Sequence, residues 1–241
     1  MLLFLLLING YGSAYFTPLQ EVKNWQNEIE SAYTLAIAEG SPAPIEELLV
    51  TLTVESPPNT TPIASYWLAY AYYHQAFFAL AFLQDEQLAE NAIEKTIALL
   101  RPANSDTESM ALLSLSLGFS TQFKHYFKVM KIGQEALQLS KKAAELDPTN
   151  PRASYAYALI DFNMPKIFGG GEKVENLLLN ALEHPEDPSP TAPSWGREAI
   201  YELLVKHYRE KGDDQKAAYF LKEALSEFPS SRLLVNLKKQ T

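Results

Sequence analysis

No cysteine occurs anywhere in the 241 residues. Disulfide frameworks, thiolate metal sites and thiol nucleophiles are excluded with it, as is anchoring through a lipidated N-terminal cysteine. Positive charge is scarce: 20 Lys and Arg stand against 29 Asp and Glu, a net charge of −9. That balance argues against nucleic acid, or an anionic lipid surface, as the main partner. Histidine is thin as well. His74, His125, His184 and His207 lie far apart, without H-x-x-x-H or H-E-x-x-H spacing, so no metal site is expected. The one glycine run, Gly169-Gly170-Gly171, lacks the G-x-x-x-x-G-K-[ST] nucleotide pattern. There is no nucleophile-elbow sequence, and adjacent carboxylates such as Glu46-Glu47 read as solvated helix surface. The chain is therefore expected to be no enzyme and to carry no cofactor.

Long apolar runs are nearly absent too. The first sixteen residues hold no charged side chain, and Leu2–Ile8 is followed by the small residues Gly12-Ser13-Ala14. A core this short cannot span a bilayer but has the form of a secretory signal with its cleavage site. The expectation is a signal segment over 1–14, a mature domain over 15–241 and a periplasmic or otherwise exported location. Pro62–Leu83 also lacks Asp, Glu, Lys and Arg, yet it holds Ser65, His74, Gln75 and four tyrosines. A helix of that kind belongs in the middle of a helical stack.

What is present is a repeated ruler. Ala136–Ser140–Ala143–Pro148 and Ala217–Leu221–Ala224–Pro229 share one spacing; Val174–Leu178–Ala181–Pro185 is one residue shorter at its last step, and Ala89–Ile93–Thr96–Pro102 is a weaker copy. Residues at i, i+4 and i+7 share one face of a helix, and small ones there let a neighbouring helix approach closely. Proline then stands where the helix has already ended. Copies recur after 47, 38 and 43 residues, longer than the 34 or so of a tetratricopeptide unit. Each therefore carries inserted residues, mostly between its two helices.

The predicted order begins with two N-terminal helices, about 19–38 and 44–54. Four helix pairs follow: 63–83 with 87–100, 107–119 with 130–145, 151–163 with 172–183, and 195–211 with 214–227. Ser120–Phe127 is read as a loop or extra turn. Gly212-Asp213 is a compact corner, in which glycine takes the left-handed cap and aspartate caps the next helix. Prolines 185, 188, 190 and 193 stiffen the linker before the fourth pair. Basic residues of the tail, Arg232, Lys238 and Lys239, suit the polar cap of a stack. The fold class is all-α: a solenoid of about four irregular helix pairs plus N-terminal helices.

Leu146-Asp147-Pro148-Thr149-Asn150-Pro151-Arg152-Ala153 resembles a tetratricopeptide junction. Beyond it, Asn150-Pro151-Arg152-Ala153 followed by Pro165-Lys166-Ile167-Phe168-Gly169-Gly170-Gly171-Glu172-Lys173 resembles a signature of exported tetratricopeptide-like proteins of Bacteroidota. Pro193-Ser194-Trp195-Gly196 matches their P-x-W-G element, and Asp106-Thr107-Glu108 their acidic pair before a helix. The likeness runs from about Tyr66 to Pro229. It implies a fold and an exported compartment but no reaction. A more distant resemblance is to the T-component lipoproteins that accompany TRAP-type solute transporters; this chain departs from them in having no cysteine to lipidate.

In such repeats the first helix of each pair lines the concave surface. Matching this sequence to those places gives Arg152, Tyr155, Leu159 and Phe162 in the third pair, and Glu202, Lys206 and Arg209 in the fourth. These are the candidate contacts for a protein or peptide partner. Gly169, Gly170 and Gly171 are read as a close reversal, with anion binding at the following helix as the alternative. Trp195 and Gly196 complete the motif residues. The aromatic helix, with Tyr66, Trp67, Tyr70, Tyr73, Phe77 and Phe78, reads as core. Its functional alternative is one wall of a cavity for a small hydrophobic solute.

Overall fold

The computed structural model describes residues 23–58, 60–184, 189 and 191–239. The expected signal segment, 1–14, lies outside them, as do prolines 185, 188 and 190 of the linker. Among the described residues every regular element is helical. An N-terminal pair, α1 (Trp25–Glu39) and α2 (Ala43–Glu55), precedes α3 (Pro62–Phe78) with α4 (Glu86–Leu100), and α5 (Thr107–Ser120) with α6 (Tyr126–Leu146). Then come α7 (Pro151–Asn163) with α8 (Val174–Glu183), α9 (Arg197–Glu210) with α10 (Asp214–Glu227), and the closing α11 (Arg232–Lys239). Short connections fold each pair back on itself.

Helix starts follow side-chain chemistry. Asn24, Thr61, Asp85, Asp106, Asn150 and Asp213 each accept a hydrogen bond from the backbone N–H three residues on. Each satisfies one donor that the first turn leaves without a partner. Gly40 closes α1 in the left-handed conformation.

All four copies of the ruler face inward. Ala89, Ile93, Thr96, Ala136, Ser140, Ala143, Val174, Leu178, Ala181, Ala217, Leu221 and Ala224 are all buried. Thr96 shows how a polar residue is accommodated there. Its hydroxyl donates to the Ala69 carbonyl of α3 and the Ala92 carbonyl of its own helix, each at 3.2 Å, so no polar group is left bare. Pro62–Leu83 is buried along most of α3 and ends in a π-helical turn, Ala79–Leu83. No helix among the described residues is long and apolar enough to cross a membrane.

Several boundaries differ from expectation. Helix α1 starts at Trp25 rather than near 19, because Asn24 caps it there, and α8 starts at Val174 rather than 172. Helix α6 starts at Tyr126 rather than near 130, after a 3-10 turn at Thr121–Phe123, so most of the expected loop is helical. Helix α9 starts at Arg197, leaving Trp195 and Gly196 outside it. Gly196 has φ +116°, which no ordinary helical residue adopts.

With Ala143 and Ala224 wholly buried, leucine at either has no room. Ala143→Leu or Ala224→Leu should cost about 1–3 kcal/mol by overpacking, read as a lower midpoint in urea unfolding with the slope unchanged. Full tolerance at both would mean that the repeat faces are assigned wrongly.

Candidate functional site

The candidate face is built from the first helices α3, α5, α7 and α9, and part of it is already covered by the chain itself. The segment before α9 runs across it as a strap. Trp195 donates its indole N–H to the Tyr66 hydroxyl at 2.6 Å. Its ring stacks on Tyr70, centroids 5.6 Å apart, and meets Tyr155 edge-on at 6.5 Å. Ala111 and Leu115 of α5 and Ala156 of α7 complete that apolar seat. One residue earlier, the Ser194 N–H donates to Gln26 Oε1 of α1 at 2.8 Å.

An ion pair between buried Arg152 and part-buried Glu108 locks the strap in place. Arg152, only 3% exposed, donates from Nε to Glu108 Oε2 and from Nη2 to Glu108 Oε1, both at 2.7 Å. Its Nη1 donates to the Trp195 carbonyl at 3.2 Å. Glu108 Oε1 also accepts from Asn150 Nδ2 at 2.6 Å. The two-pronged guanidinium–carboxylate match is the strong form of such a pair, and the Trp195 carbonyl and the Asn150 amide add neutral hydrogen bonds to it. Three motifs that stand apart in the sequence thus meet at one point: Asp106-Thr107-Glu108, Asn150-Pro151-Arg152-Ala153 and Pro193-Ser194-Trp195-Gly196. Gly196 belongs to the lock as well, since a Cβ there would approach Arg152 Cγ to 3.3 Å.

The other predicted positions divide. Arg209 donates to the Leu237 carbonyl of α11 at 2.9 Å and so ties down the end cap. Tyr155, Leu159, Phe162 and Glu202 are half-buried, and Lys206 is exposed with Nζ 2.5 Å from Glu202 Oε1. Leu159, Phe162, Glu202 and Lys206 lie on the first-helix face beyond the strap, and Tyr155 stands at its border against Trp195.

The glycine loop is a braced reversal. Gly169 and Gly171 have φ +85° and +84°, and a Cβ on Gly170 would lie 1.8 Å from the Met164 carbonyl oxygen, so only glycine fits there. Fully buried Asp161 holds the loop from inside: its carbonyl accepts the Gly171 N–H and its Oδ2 the Lys173 N–H, both at 2.9 Å. The start of α8 therefore already has an internal carboxylate.

One feature of this face escaped sequence reasoning. His74 is ringed by Tyr70, Tyr33 and Tyr73 at centroid distances of 4.5, 4.8 and 6.3 Å. Its Nε2 is buried without a hydrogen-bond partner. Burial pushes its pKa down to about 4, so the ring is neutral at ordinary pH. Residues four apart on one helix carry Tyr66, Tyr70 and His74, and that spacing was the available signal. Among the described residues no cluster of metal-ligating side chains occurs.

Removing one partner of a desolvated ion pair strands the other, so Arg152→Ala should destabilise the chain by about 2–3 kcal/mol and expose the 191–196 segment to protease. Because the unfolded chain protonates His74 first as pH falls, the neutral ring's contribution is complete above about pH 6.5. It is lost progressively toward pH 4, roughly 3 kcal/mol in all. Unfolding free energies measured across that range should differ in slope between the parent and His74→Phe, the variant being the flatter.

No protein-family model and no curated protein matches the chain. Solved structures do. A thermophilic tetratricopeptide protein from Thermus thermophilus, TTC0263, shares 19% identity over 90% of this chain and 97% of its own, with a TM-score of 0.58. The HusA haemophore of Porphyromonas gingivalis shares 20% identity over 79% of this chain and 96% of its own, with a TM-score of 0.54. At these identities the likeness concerns architecture, and together with the inward-facing rulers it settles the fold: this chain is a tetratricopeptide-like helical solenoid.

Proposed function

We propose that the protein is a non-enzymatic, exported interaction scaffold that holds a protein or peptide on the open part of its first-helix face. The carrying observation is the patch left beyond the strap, Leu159 and Phe162 of α7 beside the Glu202–Lys206 pair of α9, with Tyr155 at its edge. Half-exposed aromatic and aliphatic groups supply contact area, and a partly exposed ion pair at the rim supplies orientation, the division of labour usual at protein interfaces. Arg152 supports this surface indirectly, by holding Trp195 at its border. Arg209 supports it by fixing the end cap. Export is supported by the uncharged Leu2–Ile8 leader with its small-residue site.

A second reading rests on the aromatic ring around His74, whose free nitrogen and three tyrosines would suit a planar hydrophobic solute. One structural neighbour is a haemophore, so haem joins the solutes worth testing, though that likeness speaks for architecture only.

A photo-crosslinker at Phe162 or Lys206 should capture a defined envelope partner that the same group at Glu223, exposed on α10, does not. Alanine at Tyr155 or Phe162 should weaken the purified complex about tenfold or more. Absence of any partner dependent on these positions counts against the scaffold. Thermal stabilisation of the parent, but not of His74→Phe, by a hydrophobic solute would favour the second reading.

A further inference from the structure

The chain turns from α9 to α10 in three residues, 211–213, yet spends ten, 164–173, on the equivalent corner between α7 and α8. Those ten are held rigid by Asp161 and by a position that admits only glycine. What the bracing presents is a tip, the 3-10 turn Lys166–Phe168, on which Ile167 is 85% and Phe168 64% exposed. Inserted loops that keep a fixed shape are more often functional than idle.

The neighbouring corner presents the same chemistry. Helix α6 opens with Tyr126 and Phe127, 71% and 88% exposed, and Met130 is exposed one turn on. Both corners leave from adjacent helix ends. Gly118, near the end of α5, approaches Ile160, near the end of α7, so closely that an added Cβ would sit 2.8 Å from Ile160 Cδ1. The two apolar tips therefore project from one edge of the stack.

Positive charge collects at these two corners, against the sign of the whole chain and of the neighbouring start of α4, where Glu90 and Glu94 hold Lys124. Lys128, Lys131, Lys166 and Lys173 are exposed, with Glu172 between the last two. None of the four lysines forms an ion pair among the described residues, whereas Lys124 is occupied by Glu90 and Glu94 at 2.5 and 2.6 Å. Helix stability does not explain the placement. Helix α6 has no side-chain N-cap and no acidic residue in its first turn, where Lys128 stands at the unfavourable end of the helix dipole. By contrast α4 and α10 each open with an aspartate cap and an acidic first turn.

We propose that this edge is a docking surface for an anionic lipid bilayer. Aromatic rings and isoleucine enter the headgroup boundary while the lysines reach lipid phosphates, the usual chemistry of proteins that lie on a membrane without crossing it. The partner is chosen by charge: the lysines are unpaired and the apolar groups are projecting tips, which suits a soft anionic surface. The inference is independent of what the first-helix face holds.

Absence of cysteine makes a clean test possible. The full chain carrying Ile167→Cys or Phe127→Cys is labelled with an environment-sensitive nitrobenzoxadiazole dye, with Glu223→Cys on α10 as the control. It is then mixed with phosphatidylglycerol–phosphatidylcholine or pure phosphatidylcholine vesicles. The dye at 127 and 167 should brighten and shift to the blue with the anionic vesicles, and the control should not. In sedimentation, Lys128→Gln with Lys131→Gln should cut partitioning about 25-fold, at roughly fivefold per lysine. Phe127→Ser with Phe168→Ser should cut it about tenfold with the circular dichroism unchanged. Because every variant keeps the Leu2–Ile8 run, binding through that segment would leave all variants alike and overturn the proposal. A tip dye that responds equally with neutral vesicles, or to a purified envelope protein but to no vesicle, would overturn it as well.

Discussion

The carboxylate of Glu108 is the point on which the arrangement turns. It accepts three N–H groups, two from Arg152 and one from Asn150, and so fixes the junction between the second and third helix pairs. The same guanidinium reaches the Trp195 carbonyl, so the junction and the strap are held by one charge. A buried ion pair is no sure source of net stability, because dehydrating both charges costs nearly what their attraction returns. What it supplies is uniqueness. A displaced strap or junction would have to give up these hydrogen bonds.

The motif residues are accordingly not the ones proposed as a binding surface. Arg152, Gly196 and the three glycines are all spent on holding backbone in unusual places. The surface proposed for a partner consists of less distinctive residues such as Leu159 and Phe162, whose identities carry no signature of their own. The lock gives them a rigid border, so a partner meets a face that is already shaped, and less order has to be imposed on binding.

Much of the fold was legible because helical spacing leaves a periodic trace. Every ruler position that reads as inward is buried, and α7 and α10 have the ends expected of them. The failures have local causes. Helix α6 begins without a capping residue, so nothing at Tyr126 marks a start. Trp195 directly precedes a periodic apolar run and reads as its first turn, while its actual partners, Tyr66, Tyr70 and Tyr155, lie far away along the chain. Arg152 illustrates the same limit at the site. Its register places it with the other first-helix positions, but the groups that consume its charge are Glu108 and a carbonyl 43 residues on. Pairings of that kind leave no period behind them. The charge reversal at the α6 and α7–α8 corners was hidden for a different reason: a net charge averages over it.

Repeat stacks ordinarily behave as one-dimensional chains in which each module touches only its neighbours and the ends fray independently. The bond between Gln26 and Ser194 spans 168 residues and breaks that rule. It makes the first helix and the approach to α9 mutually dependent, raising the mean sequence separation of contacts and slowing the final step of folding. A nascent chain emerging from its amino end stacks its early helices with the Tyr66 hydroxyl still waiting for an indole. Closure comes only when residue 195 emerges, and until then the half-built spiral presents an aromatic cleft that a holding chaperone can recognise.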